Sequence, residues 1–175
     1  RNLYTLFSST ESTYLSPNLF NNWKEINDKK FLNIKVFSHD QINKFMLENF
    51  NDHAIYKVFL DATIPVMKID IFRLCFGYMN GGIWMDFKSN CNLDILLEII
   101  KSGAYKNGLL IAEERSLDIE VNKIITKKNI IHNGLFYLPK GSFFLRELIN
   151  NIVKESILFY DVVFDNPKNA ILNFT

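Results

Sequence analysis

Apolar and polar positions follow two different spacings along the chain, and the spacings predict strands and helices in turn. Short apolar runs of roughly four to eight residues are typical of strands, and apolar residues recurring about every three or four positions are typical of helices. The predicted strands cover 2–7, 34–37, 82–86, 108–113 and 130–138. Predicted helices begin at Ser16-Pro17, His39-Asp40, Asp52, Pro65, Asn92, Ser142 and Asp165. This alternation predicts one α/β domain, 1–175, with a mixed, mostly parallel sheet flanked by helices.

The helix predicted over 65–79 has candidate caps at both ends. Thr63 is a candidate N-cap. Pro65 is suited to the first turn, because the N–H groups there have no acceptor within the helix and proline has no N–H to leave unpaired. Asn80-Gly81 is the predicted left-handed C-cap. The paired glycines also allow a strand to begin directly after the helix.

Charged residues lie inside this helix and the following strand, where most neighbours are apolar. Asp70 and Arg73 are three residues apart and therefore share one helix face, where a local salt bridge is the default interpretation. Buried charge is costly unless it is paired or used, so the apolar surroundings favour a functional role. Trp84 and Asp86 alternate onto one side of the strand, and Asp86 ends it, where open α/β sheets bind ligands. A turn cap is the simpler interpretation of Asp86 alone.

Composition and charge exclude several classes of protein. The chain is 48% hydrophobic and 22% charged with a formal net charge of +1, which is typical of a soluble globular protein and argues against a nucleic-acid partner. No apolar run approaches the roughly 18 residues of a membrane span, and no signal peptide is visible. We therefore expect a cytoplasmic protein, either free or peripheral to a membrane.

Other candidate chemical groups have simpler interpretations. We expect Cys75 and Cys91 to be buried thiols, and the histidines lack the spacing of a zinc site. Acids at 113–114, 118 and 120 are expected to be solvated loop residues, with a second metal ligand or an acceptor-side base as the alternative. His132 is expected to pack in the core, with a substrate contact as the alternative.

In order along the chain, Asp70-x-x-Arg73, Gly81-Gly82 and Ile83-Trp84-Met85-Asp86 resemble the DXD sugar-binding region of GT-A glycosyltransferases. The resemblance is to the capsular-polysaccharide and mannosyltransferase-like enzymes of family 32, with the clostridial glucosylating toxins as distant relatives. Segments 2–7, 23–27, 131–134 and 139–144 also resemble parts of that family, so the resemblance covers most of the chain.

The resemblance implies a GT-A fold and retaining transfer of a hexose from a UDP- or GDP-sugar to a glycan or other acceptor, with Mn²⁺ or Mg²⁺. Asp70 and Arg73 would hold the donor sugar and phosphates, and Asn133 would hydrogen-bond the sugar. Asp86 would be the catalytic and metal-binding carboxylate, with Trp84 beside the nucleotide. The implied donor-site residues are Thr5, Phe7, Asp70, Arg73, Gly82, Trp84, Asp86, Lys88 and Asn133.

One position departs from the family pattern, because Lys88 stands where the second acid of Asp-x-Asp is expected. A lysine cannot ligate the cation. Three alternatives follow. Asp86 holds the metal together with waters and another carboxylate, or Lys88 replaces the metal by neutralising the diphosphate. In the third, the chain is a catalytically inactive nucleotide-sugar or glycan binding domain. A metal-dependent phosphohydrolase built on Asp70 and Asp86 would leave Arg73 and the glycines unexplained. Because further site residues of the family follow a Thr-Gly-Pro turn, we expect the chain to be truncated after Thr175.

Overall fold

The computed structural model describes residues 4–9, 32–87, 89, 92–103, 106–119 and 124–159. Its strands are β1 (Tyr4–Ser9), β2 (Leu32–Phe37), β3 (Gly82–Met85), β4 (Leu109–Ile119) and β5 (Ile124–Leu138). Its helices are α1 (His39–Phe50), α2 (Ala54–Asp61), α3 (Pro65–Asn80), α4 (Leu93–Lys101) and α5 (Phe143–Phe159). The helices predicted to begin at Ser16-Pro17 and at Asp165 lie outside the described residues, as does Cys91.

Within the described residues the strands form one five-stranded sheet in the order β2-β1-β3-β5-β4. Strand β1 pairs with β3 in parallel, whereas β5 is antiparallel to both β3 and β4. It follows that β1, β3 and β4 run in one direction and β5 runs in the other. The predicted α/β class with a mixed, mostly parallel sheet is confirmed.

The described residues divide into two compact units. The first contains residues 4–8, 32–35 and 82–139, and the second contains residue 9, residues 36–81 and residues 140–159. The first unit therefore holds most of the sheet with α4, and the second holds the other four described helices.

The core of the first unit explains why β3 is short and almost wholly apolar. Strand β3 lies between two other strands, and Ile83 and Met85 on one face are buried with Leu6 of β1 against α4. The α4 residues in this cluster are Leu96, Leu97 and Ile100, which recur at helical spacing. Trp84 is buried as well. A central strand buried in this way reads as a continuous apolar run.

The core of the second unit is rich in phenylalanine. The ring of Phe37 packs edge-on against Phe72 and Phe76 of α3, with centroid distances of 5.0 and 4.9 Å. Phe45 of α1 contacts the same two rings at 5.5 and 5.2 Å. Helix α1 begins at a capping box, in which Ser38 and Gln41 hydrogen-bond each other's backbone N–H groups.

The caps predicted for α3 need correction. The N-cap is Ile64 rather than Thr63, and it makes no side-chain capping hydrogen bond. Proline at the first helical position fixes the start and holds the preceding residue extended, so the cap moves to residue 64. At the other end Gly81 has the positive φ that was predicted, 68°, but its ψ of −179° is extended rather than left-handed helical.

The predicted loop acids also need correction. Glu113 ends the predicted strand 108–113, but Glu114 and Asp118 also lie in β4, which pairs with β5 over a much longer ladder than predicted. The charged residues interrupt the apolar pattern on which the prediction rested. They are compatible with a strand because β4 lies at the edge of the sheet, where charge discourages pairing with other chains.

In the described residues, no helix is long and apolar enough to cross a bilayer.

Candidate functional site

Asp86 follows β3 directly, and the structure fixes its backbone on both sides. Its N–H donates to the carbonyl oxygen of Gly134 in β5 at 2.8 Å, and its own carbonyl accepts from the N–H of Ser89 at 2.8 Å. The first bond extends the β3–β5 ladder by one residue, and the second closes a turn. Asp86 is therefore held at the carboxyl end of a central strand while it stays partly exposed. That is where α/β sheets place ligand-binding side chains.

The side chain of Asp86 is held by the residue two positions earlier. The indole Nε1 of Trp84 donates a hydrogen bond to Oδ1 of Asp86 at 2.7 Å. This contact confirms that the two side chains lie on the same side of the strand, as the alternation predicted. A hydrogen bond to an ionised acceptor is stronger than one between neutral groups, so the carboxylate is firmly oriented.

Two aromatic residues of the implied donor site, Phe7 and Trp84, are buried in the first unit. Phe7 is 0% exposed and Trp84 is 1% exposed. Their rings meet edge-to-face, with centroids 5.4 Å apart and an interplanar angle of 66°, because Phe7 of β1 is the register partner of Trp84. A direct contact of either ring with a base stays a prediction.

Gly82 begins β3 where the strand passes very close to β1. Its φ is 123°, and a Cβ atom at this position would lie 2.5 Å from the carbonyl oxygen of the half-buried Thr5. No side chain fits such a contact without displacing backbone. Glycine is therefore required here for structural reasons, whether or not Gly82 contacts the donor.

Asn133 lies in a bulge of β5 beside Asp86. The β4–β5 register passes from Leu110↔Phe136 to Ile111↔His132, so residues 133–135 bulge out of the β4 ladder. On the β3 side, the carbonyl oxygen of Gly134 accepts a hydrogen bond from the N–H of Asp86. The exposed Asn133 is therefore one residue along β5 from the hydrogen-bond partner of Asp86. Bulges of this kind often redirect a side chain near an active site. The sequence signal that could have indicated it is the glycine inside a predicted strand.

Asp70 and Arg73 belong to the second unit and form the predicted pair on one face of α3. The guanidinium Nη2 of Arg73 hydrogen-bonds Oδ1 of Asp70. The Arg73 side chain is 6% exposed and that of Asp70 is 32% exposed, so a nearly buried cation is neutralised by a partly exposed carboxylate. Losing one member of such a pair is strongly destabilising.

The metal site expected from the family resemblance can be compared with the ligands on this chain. No group of three His, Cys, Asp or Glu side chains is placed to hold a cation among the described residues, which do not include Lys88. A cage made by the protein alone is therefore not formed by those residues. Mg²⁺ is commonly held by one or two carboxylates together with substrate phosphates, and the oriented carboxylate of Asp86 fits that arrangement. Metal dependence stays a prediction.

Comparison with known proteins adds evidence on the fold. No protein-family profile matches the chain, and no curated protein matches it. A solved structure of the PaToxG glycosyltransferase is similar, with a TM-score of 0.55 and 12% sequence identity. The match covers 92% of this chain and 64% of that one, so this chain spans under two thirds of that protein. The similarity shows a glycosyltransferase-like fold, while membership of family 32 and the DXD assignment stay predictions.

Proposed function

We propose that this chain is a retaining glycosyltransferase that moves a hexose from a UDP- or GDP-sugar to a glycan or other acceptor. The observation that carries the proposal is the oriented carboxylate of Asp86 at the end of β3 in a glycosyltransferase-like fold. The sequence around it, from Asp70 to Asp86, supports the proposal because it resembles the donor-sugar region of such enzymes.

The reaction breaks the bond between the anomeric carbon and the nucleotide diphosphate and forms a bond from that carbon to an acceptor hydroxyl. The nucleotide diphosphate leaves with the electron pair of the broken bond, and its departing oxygen takes up the proton that the acceptor hydroxyl loses. Asp86 accepts hydrogen bonds from sugar or ribose hydroxyls, and a carboxylate that is already fixed needs no reorganisation during the reaction. The amide of Asn133, which both donates and accepts, suits a sugar hydroxyl.

A divalent cation bound with Asp86 would offset the charge of the departing diphosphate. Asp86 is the described residue that would hold it. Lys88 carries a positive charge two residues further along the chain, where a second acid would otherwise contribute to cation binding.

The Asp70–Arg73 pair is a proposed donor-binding pair. A guanidinium has five N–H donors, so Arg73 can bind Asp70 and still donate to an oxyanion. Asp70, which is about one third exposed, can accept from a hydroxyl. If Arg73 binds the donor in this way, Arg73→Lys should raise the KM for the donor, because a lysine lacks the planar fork of the guanidinium.

A second candidate function is a catalytically inactive nucleotide-sugar or glycan binding domain. Lys88 favours it, because a lysine replaces a carboxylate in the motif that would bind the catalytic cation. Such a domain would keep Asp86 and Asn133 as hydroxyl-binding groups without turnover.

The experiment that separates these functions is incubation with UDP-glucose, UDP-galactose and GDP-mannose, each with Mn²⁺ or Mg²⁺. Release of nucleotide diphosphate and donor binding are measured in parallel. Release of nucleotide diphosphate from at least one donor supports the glycosyltransferase function. If the reaction retains the anomeric configuration, NMR should first detect the released sugar as the same anomer as in the donor. Binding without release supports the inactive domain. The absence of both donor binding and nucleotide release would contradict both functions.

A further inference from the structure

We infer that Trp84 is a positioning residue, which fixes the carboxylate of Asp86 through its indole N–H and does not act as a stacking surface for the nucleotide. The inference rests on the proposed donor-binding role of Asp86. It assigns to Trp84 a role different from the nucleotide contact that the family resemblance implies.

The burial of Trp84 leaves little ring surface for a ligand. The residue is 1% exposed, and its ring meets that of Phe7 at an interplanar angle of 66°. Strand β3 lies between β1 and β5, where Trp84 is the register partner of Phe7 on one side and Phe136 on the other. A base could stack on this ring only after the packing of the strand had opened.

The polar atom of Trp84 is directed at the candidate site residue. An indole has one N–H donor and no acceptor, and here it donates to Oδ1 of Asp86 at 2.7 Å. The terminal torsion of an aspartate is broad and roughly two-fold, so an unrestrained carboxylate samples many orientations. A bond to one oxygen from a rigid, buried ring selects one orientation and presents the carboxylate to the donor in a fixed direction.

This arrangement places the rigid part of the site on a central strand. Trp84 is anchored by the core, and Asp86 is anchored by Trp84 through its side chain and by Gly134 through its backbone. Functional side chains held by residues locked in the core keep the productive geometry better than side chains on loops. Removing the indole N–H should therefore weaken donor binding without removing any donor contact.

The test is a double-mutant cycle on donor affinity with Trp84→Phe, Asp86→Ala and the double variant. Phenylalanine keeps an apolar ring in the core and lacks the N–H. Calorimetric titration with UDP-glucose, UDP-galactose and GDP-mannose, each separately, gives the dissociation constants. We expect Trp84→Phe to weaken binding by up to about 10-fold, because the carboxylate of Asp86 must then lose its freedom of orientation when the donor binds. The double variant should bind no more weakly than Asp86→Ala alone, because Trp84 acts only through Asp86.

The matched control is Ile83→Val, which also shortens a buried side chain of β3 but on the face towards α4. It should lower stability and leave donor affinity unchanged, which separates positioning from general loosening of the strand. Wild-type affinity in Trp84→Phe, with a clear loss in Asp86→Ala, would overturn the positioning role and leave the proposed function standing. An equal further loss from Trp84→Phe in the Asp86→Ala background would show a direct donor contact and would also overturn the inference. If Asp86→Ala binds every donor like the wild type, the role of Asp86 fails, and the inference fails with it.

Discussion

Gly82 passes so close to Thr5 that a Cβ atom on the glycine would lie 2.5 Å from the carbonyl oxygen of the threonine. The clash would be between the first side-chain atom of residue 82 and a backbone oxygen of the adjacent strand, so no side-chain rotation can relieve it. Gly82 is the first residue of β3 and lies four residues before Asp86. Glycine is therefore required at the start of the strand that carries the candidate site.

The first prediction is that Gly82→Ala lowers the free energy of unfolding by more than about 3 kcal/mol. The alanine would combine an unfavourable φ of 123° with a steric overlap against backbone. The matched control is Gly141→Ala, where φ is 71° and no atom lies within 4 Å of the added Cβ. It should cost about 1 kcal/mol for the backbone conformation alone. Urea denaturation measures both, and equal losses would contradict the close approach of β1 and β3.

The second prediction concerns the Asp70–Arg73 pair. Asp70→Ala should destabilise the protein by about 3 kcal/mol, because it leaves the nearly buried guanidinium of Arg73 without its carboxylate. The double variant Asp70→Ala/Arg73→Met should recover most of that loss. As a control, Glu48→Ala breaks the exposed pair with Lys44 and should cost less than about 0.5 kcal/mol. If Asp70→Ala and Glu48→Ala cost the same, the pair is not a buried structural contact.

The third prediction follows from the burial of Cys75, which raises the pKa of its thiol far above the ordinary range. Because the native state holds the thiol proton, the full contribution of Cys75 to stability is present below the pKa of the thiol in the unfolded chain, roughly 8.5. That contribution is lost as the pH rises above this value, because the unfolded state then releases the proton and the native state does not.

Cys75→Ala tests this because it removes the titrating group. The variant should be less stable than the wild type at pH 7, and the difference should shrink by up to about 2 kcal/mol at pH 10. Urea denaturation at both values gives the comparison. A difference that is constant or grows with pH would contradict the burial of the thiol.

The fourth prediction concerns the cation. We expect turnover to need Mn²⁺ or Mg²⁺, so that EDTA abolishes nucleotide release and excess Mn²⁺ restores it. Lys88→Asp should then lower the Mn²⁺ concentration needed for half-maximal turnover, because a second carboxylate replaces a repelling charge. Undiminished turnover in EDTA would contradict a metal role. In that event Lys88 is the candidate for neutralising the diphosphate, and Lys88→Ala should reduce turnover.

The sequence was most informative where a local pattern decides the structure. The apolar run from Ile83 to Met85 is confirmed as a strand, and the shared helix face of Asp70 and Arg73 is confirmed by their contact. Both depend only on the periodicity of a strand or a helix. The hydrogen bond from Trp84 to Asp86 follows from the same alternation, because the two side chains are two residues apart on one strand.

Features that depend on distant parts of the chain could not be predicted. Gly134 signals a bulge, but its place and size are visible only in the register against β4, and Glu114 and Asp118 lie in a strand only because β4 pairs with the far end of β5. Similarly, nothing around Trp84 in the sequence indicates that its ring is buried against Phe7, since the two residues are brought together by the pairing of β1 with β3.

The most direct test of the proposed function is nucleotide release from a UDP- or GDP-sugar by the wild type and by Asp86→Asn. Asparagine keeps the shape of the side chain and an acceptor oxygen for Trp84, so the melting temperature should stay near that of the wild type. We predict that the rate of release falls by about 100-fold or more, because the fixed negative charge at the end of β3 is lost. Unchanged release by a folded Asp86→Asn would contradict the assignment of Asp86 and the donor site built on it.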